Sequence, residues 1–87
     1  MKLLLCPRCG DVRKLRYNET RCECGASWGS YAPDGLKATI GGEALCLGLG
    51  NLALDAAICA HRVEPVEQYT LTAWMMRDGA PNVERAK

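Results

Sequence analysis

Cys6-Pro7-Arg8-Cys9-Gly10 and Cys22-Glu23-Cys24-Gly25 decide how this chain is read, since they place four of its six cysteines in two tight pairs with residues 10–21 between them. Four thiolates so spaced can converge on one tetrahedral Zn²⁺ at about 2.3 Å each, whereas disulfides closed inside such short loops would be strained. Each pair is followed directly by glycine. A turn that folds its N–H groups back toward sulfur needs a residue free to take φ > 0 after the second ligand, and Gly10 and Gly25 meet that need. Pro7 preorganises the first turn. The second pair has one intervening residue instead of the usual two, so either its turn is compressed or one ligand comes from elsewhere. The expected set is Cys6, Cys9, Cys22 and Cys24, holding one structural Zn²⁺ per chain. Four sulfurs leave no open position for water, which points away from Lewis-acid chemistry.

The rest of the composition agrees with a small stapled domain. Eighty-seven residues with 48% apolar side chains suffice for one core, and a core this size is marginal without a metal or covalent staple. A formal charge of +1 excludes a histone-like polycation or an acidic tail as the main idea. Met1-Lys2-Leu3-Leu4-Leu5 offers only three apolar residues before the first cysteine, too few for an export signal, so a cytoplasmic, reducing setting is expected. Residues 44–60 are apolar but short, and carry Asn51 and Asp55 near the centre. A buried core segment explains them better than a membrane span.

Working outward from the cysteines, Val12–Tyr17 alternates imperfectly and reads as a strand. Asn18-Glu19 would turn it back onto Thr20-Arg21-Cys22, closing a zinc-ribbon hairpin. Ser27–Ala32 follows, with Ser27, Gly29 and Tyr31 on one face and Trp28 and Ser30 on the other. Pro33-Asp34-Gly35 makes a turn. Leu36, Ala38 and Ile40 share one side of a strand that Gly41-Gly42 ends, and 44–49 is ambiguous between a buried strand and an irregular segment. Asn51 reads as the N-cap of a helix over about 51–62, with His61 and Arg62 at its negative end. The spread of its apolar residues predicts burial on more than one side. Residues 67–76 read as the best strand, with Tyr69, Leu71, Ala73 and Met75 on one face. The remainder, 77–87, lacks an apolar period and reads as a flexible tail. The organisation expected is one domain over 1–76, divided into a zinc-binding half (1–32) and a strand-helix-strand half (33–76). Its fold class is α+β: a zinc-ribbon-like N-terminal hairpin extended into a small antiparallel sheet, with one helix packed on a face.

Other chemistry is sparse. Cys46 and Cys59, with His61 nearby, supply three ligands at most and read as core residues, since buried cysteine behaves as a small hydrophobe. His61, the sole histidine, suits a charge-dipole role at a helix end better than general base work. Neither serine sits in a nucleophile elbow, and the glycine pairs lack the context of a phosphate loop. An enzyme is not expected. Residues 1–32 are basic through Lys2, Arg8, Arg13, Lys14, Arg16 and Arg21. Of these, Arg13, Lys14, Arg16 and Arg21 are the candidate contacts in an alternative reading, a nucleic-acid-binding ribbon with Trp28 and Tyr31 as stacking platforms. The leading expectation is a non-enzymatic module that binds a protein partner.

The strings CPRCGDVRKL and CECGASWGSYAPDGLKATIGGEALCLG, with the asparagine that follows, resemble a group of small zinc-ribbon-like proteins of bacterial and bacteriophage genomes. The resemblance covers roughly the first 55 to 75 residues. It implies zinc ligation by Cys6, Cys9, Cys22 and Cys24. A phage or prophage origin would imply an accessory factor acting on a host macromolecule.

Overall fold

The structure, a computed structural model, describes residues 1–86. Its elements in chain order are β1 (Lys2–Leu5), β2 (Val12–Lys14), β3 (Thr20–Arg21), β4 (Ser27–Tyr31), β5 (Ala38–Gly42), β6 (Leu45–Leu49), α1 (Asn51–Val63), β7 (Ala73–Met76) and β8 (Val83–Arg85). The α+β class stands, with the strands divided into two four-stranded sheets, β2-β1-β6-β7 and β3-β4-β5-β8. All pairings are antiparallel except the parallel β5–β8 ladder.

The expected hairpin between 12–17 and 20–22 is replaced by two hairpins, one for each cysteine pair. β1 pairs with β2, and β3 with β4. Lys2–Leu5 is therefore a strand that its short apolar run did not announce. The β2 strand stops at Lys14 because Leu15 turns inward and is buried. Behind it the Tyr31 N–H donates to the Arg16 carbonyl at 2.7 Å, carrying the chain from one sheet to the other.

The core lies where the sheets meet. Leu4 of β1 and Cys46 of β6 come from one sheet, Ala38, Ile40 and Val83 from the other, and Leu15 and Ala44 from connecting segments. Leu36 was expected on the Ala38–Ile40 face but stays outside. The Asp34 carboxylate accepts from the Leu36 and Lys37 N–H groups at 2.9 and 3.0 Å, holding a turn in which the Leu36 side chain points outward.

Gly41 and Gly42 continue β5 instead of ending it, for a reason that lies across the strand. Trp28 is the ladder partner of Gly41, and its indole lies where a Cβ on Gly41 would stand. Trp74 covers Gly48 in the same manner. A cross-strand indole gives a glycine the packing it lacks on its own. Gly41→Ala is expected to cost about 1 to 3 kcal/mol, the range for forcing a methyl into an occupied site, and to lower the thermal midpoint by several degrees. Scanning calorimetry would show it; an unchanged midpoint would contradict the indole's placement.

Three further expectations are corrected. The helix begins after Gly50, with Asn51 as its first residue and no side-chain cap, and of its residues only Ala57 is buried. Of the strand expected over 67–76, only Ala73–Met76 forms, with Met75 outward and Met76 packed against the core beside Cys46. The stretch expected as a flexible tail carries β8, whose Val83 is in the core. Arg85 donates to the Gly42 and Ala44 carbonyls at 2.8 and 2.7 Å and makes a two-pronged pair with Asp78 at 2.6 and 3.1 Å. Lys87 lies outside the described residues.

Candidate metal centre

Both hairpins end in turns of matching construction. In the first, the Cys6 N–H donates to the Asp11 carbonyl at 2.9 Å, and in the second the Cys22 N–H donates to that of Ser27 at 3.0 Å. Four residues then separate the closing pair in each: 7–10 in one and 23–26 in the other. The difference lies within the turn. Gly10 closes onto the Cys6 carbonyl four residues back, and Gly25 onto the Cys22 carbonyl three residues back. The second turn is thus one residue tighter before its glycine, and Ala26 takes up the slack after it. Both glycines sit at positive φ, 75° and 80°. The compressed C-x-C pair needs no ligand from elsewhere.

The sulfurs of Cys6, Cys9, Cys22 and Cys24 all lie within 4.8 Å of one another. Two of the separations, 3.7 Å for Cys6–Cys24 and 3.6 Å for Cys22–Cys24, approach the edge of about 3.8 Å that a tetrahedron with metal–sulfur bonds of about 2.3 Å requires. The four cysteines are therefore grouped at metal-binding distance. Cys6 and Cys22 are buried, while Cys9 and Cys24 face solvent, so the cluster has a protected side and an accessible one.

The surroundings suit anionic sulfur. The Ser27 N–H donates to Cys22 Sγ at 3.3 Å. Ser27 is fully buried and its hydroxyl has no hydrogen-bond partner of ordinary geometry. Its influence is nonetheless the foremost one on Cys6, whose thiol is drawn down to about 6 by that hydroxyl, then by the Cys9 N–H. At Cys22 burial works upward, but the Ser27 N–H and Cys24 prevail and hold the thiol below its ordinary value. At Cys24 the Ala26 N–H works downward, but partial desolvation of the sulfur by its neighbours and the three nearby sulfurs push the thiol up to about 12. Four thiolates this close repel one another, and a divalent cation between them is what allows all four to ionise. An all-sulfur donor set of four, with its sulfurs within 4.8 Å of one another, fits a closed metal site.

Asp11 ties the two turns together. Its Oδ2 accepts from Arg13 Nε at 2.6 Å and from the Glu23 N–H at 2.9 Å, and Arg13 reaches Glu23 Oε2 at 3.7 Å. The Arg13 guanidinium, then the Glu23 N–H, hold the Asp11 carboxyl below the usual carboxylate range. Asp11→Ala is expected to weaken metal binding about 10- to 100-fold, the usual effect of losing a group that supports a ligand-bearing turn. Competition with a chromophoric chelator measures it; an unchanged affinity would mean that the turns align without this tie. Asp11 was not singled out from the sequence, although an acid just past the Cys6–Gly10 turn was the available signal.

The remaining candidates are dispersed. Arg13 is engaged as described, and Arg21 pairs with Glu19 at 3.0 Å, donates to the Gly25 carbonyl and lies 4.8 Å from the Trp28 ring centroid. Lys14 and Arg16 are exposed and have no ion pair among the described residues. Half of the basic set is thus spent on internal contacts. Cys46 is a core residue, as expected, and its burial pushes the thiol up. Cys59 is exposed on the helix, against expectation, and joins no ligand cluster among the described residues. No described helix is long and apolar enough to cross a membrane. Searches of protein-family models, curated proteins and solved structures find no match to this chain.

Proposed function

We propose that this chain is a non-enzymatic module, pinned by one structural Zn²⁺ on Cys6, Cys9, Cys22 and Cys24, that works by binding a protein. Zinc is favoured by the all-sulfur set of four ligands. The observation that carries the binding role is the number of large apolar side chains left exposed on α1, on the segment after it and on β7. Leu52 and Val63 are each 86% exposed, and Tyr69, Leu71, Trp74 and Met75 are also exposed. β7 forms the end of its sheet, and no strand among the described residues pairs with its outer edge. Large apolar side chains exposed in this number, together with such a strand edge, are what a protein partner covers.

Photocrosslinking residues placed singly at Leu52, Trp74 and Lys14 in the full chain test the reading in cells. Protein adducts from positions 52 and 74, with none from 14, are the expected outcome. Nucleic-acid adducts from position 14 alone would replace it with the basic-face alternative.

A further inference from the structure

The chain is more extended than its length requires, with a radius of gyration of 14.1 Å and extents of 46 × 28 × 22 Å, against about 12 Å for a compact domain of this size. The helix accounts for part of this exposed surface. Its inward residues are Leu54, Ala57 and Ala60, half-buried or buried, and a helix of this length is marginal when so little of it is covered.

The opposite side of the helix carries a regular pattern. Leu52, Ala56, Cys59 and Val63 are all exposed and follow one another at steps of four, three and four residues. On a helix that spacing forms a single apolar seam, the kind that a second helix covers. Asp55 and Arg62 flank the seam on one side, seven residues apart and hence on the same line. Both are exposed, and neither has an ion-pair partner among the described residues.

We propose that this seam packs antiparallel against the same seam of a second copy of the chain. In an antiparallel pair the flanking positions of one helix face the equivalent positions of the other, in reverse order. Asp55 of each copy then meets Arg62 of its partner, twice across the two-fold axis, while Leu52 covers Val63 and Ala56 covers Cys59. A parallel pair would instead put the two flanking lines on opposite sides of the seam, with Asp55 across from Ala60 and Arg62 across from no helical residue, so that neither charge meets its complement. The charges therefore select both the occupant and its direction. The inference rests on the reading of this surface as the interaction face and names its partner.

Sedimentation velocity on the full chain, over about 1 to 500 µM, tests it with charge-exchanged variants. The wild type is expected to dimerise with rising concentration. Asp55→Lys and Arg62→Glu, both at exposed positions, should each weaken self-association about tenfold, since each replaces two attractive pairs with two repulsive ones. Mixing the two variants should restore the dimer, because each copy then presents the complement of the other. Leu52→Glu should abolish it. A wild type monomeric throughout the range, a dimer indifferent to both exchanges, or a mixture that fails to recover would overturn the proposal. If the chain is monomeric while positions 52 and 74 still crosslink to another protein, this inference fails and the proposed function stands. If a charge-matched dimer forms without metal in the protein, the zinc module fails and the pairing stands.

Discussion

Cys9→Ser is expected to abolish stoichiometric metal and leave the N-terminal half without a fixed structure. The two cysteine turns belong to different sheets, since the first joins β1 to β2 and the second joins β3 to β4. The sulfur cluster and the Asp11 tie draw the tips of these hairpins together. β2 has three residues and β3 two, far too few to hold register unaided. Structural zinc supplies on the order of 10 kcal/mol of apparent binding energy in small peptides, as much as the whole stability of a typical domain. Cys9 is exposed, so serine there leaves no hole in the core, and the damage reports the lost ligand. Circular dichroism with metal analysis is the check. A metal-free Cys9→Ser protein that stays soluble and melts cooperatively would contradict the structural role. Acid should act in the same direction. Metal ligation requires thiolates, so affinity is full well above the thiol values and falls as pH drops and protons compete for sulfur.

Val83→Asp should be nearly as damaging, in a part of the chain whose composition resembles a loose end. Val83 is 4% exposed and lies in the core with Ala38 and Ile40, and its ladder partner across the parallel β5–β8 pairing is Ala38. A carboxylate there has no cation to meet it in the core, and such burial costs roughly 3 to 5 kcal/mol. That is a large share of the roughly 5 to 10 kcal/mol available to a chain of this size. Arg85→Ala should be milder, releasing Asp78 and the Gly42 and Ala44 carbonyls without opening the core. Urea unfolding followed by tryptophan fluorescence ranks the two. If both variants match the wild type, residues 80–86 are a dispensable tail, and their strand pairing contributes nothing to stability.

What was legible in the sequence was what is local. The cysteine pairs, their glycines and the Pro33-Asp34-Gly35 turn are each set by a few neighbouring residues, and each stands as read. The α1 helix was legible for the same reason, because its propensity resides in its own residues.

Whatever depends on distant partners was not legible. β1 and β2 found each other instead of β2 and β3, because strands of two to four residues carry too little pattern to choose a partner. β8 has one core residue in three, so no period marks it, and its anchorage comes from carbonyls at positions 42 and 44. Gly41-Gly42 passed for a strand end because the Trp28 indole that covers Gly41 lies thirteen residues away in sequence. The helix was expected to be enclosed because alanine and leucine are equally at home in a core and at an interface. Composition shows that such a face wants cover and says nothing of where the cover comes from.

Zinc K-edge X-ray absorption on the purified chain tests the central claim most directly, because it reads the identity and distance of every atom bound to the metal. Stoichiometric zinc with four sulfurs at about 2.3 Å and no lighter neighbour is the predicted result. A shell containing nitrogen or oxygen, or protein that carries no stoichiometric zinc, would contradict a closed centre built from Cys6, Cys9, Cys22 and Cys24.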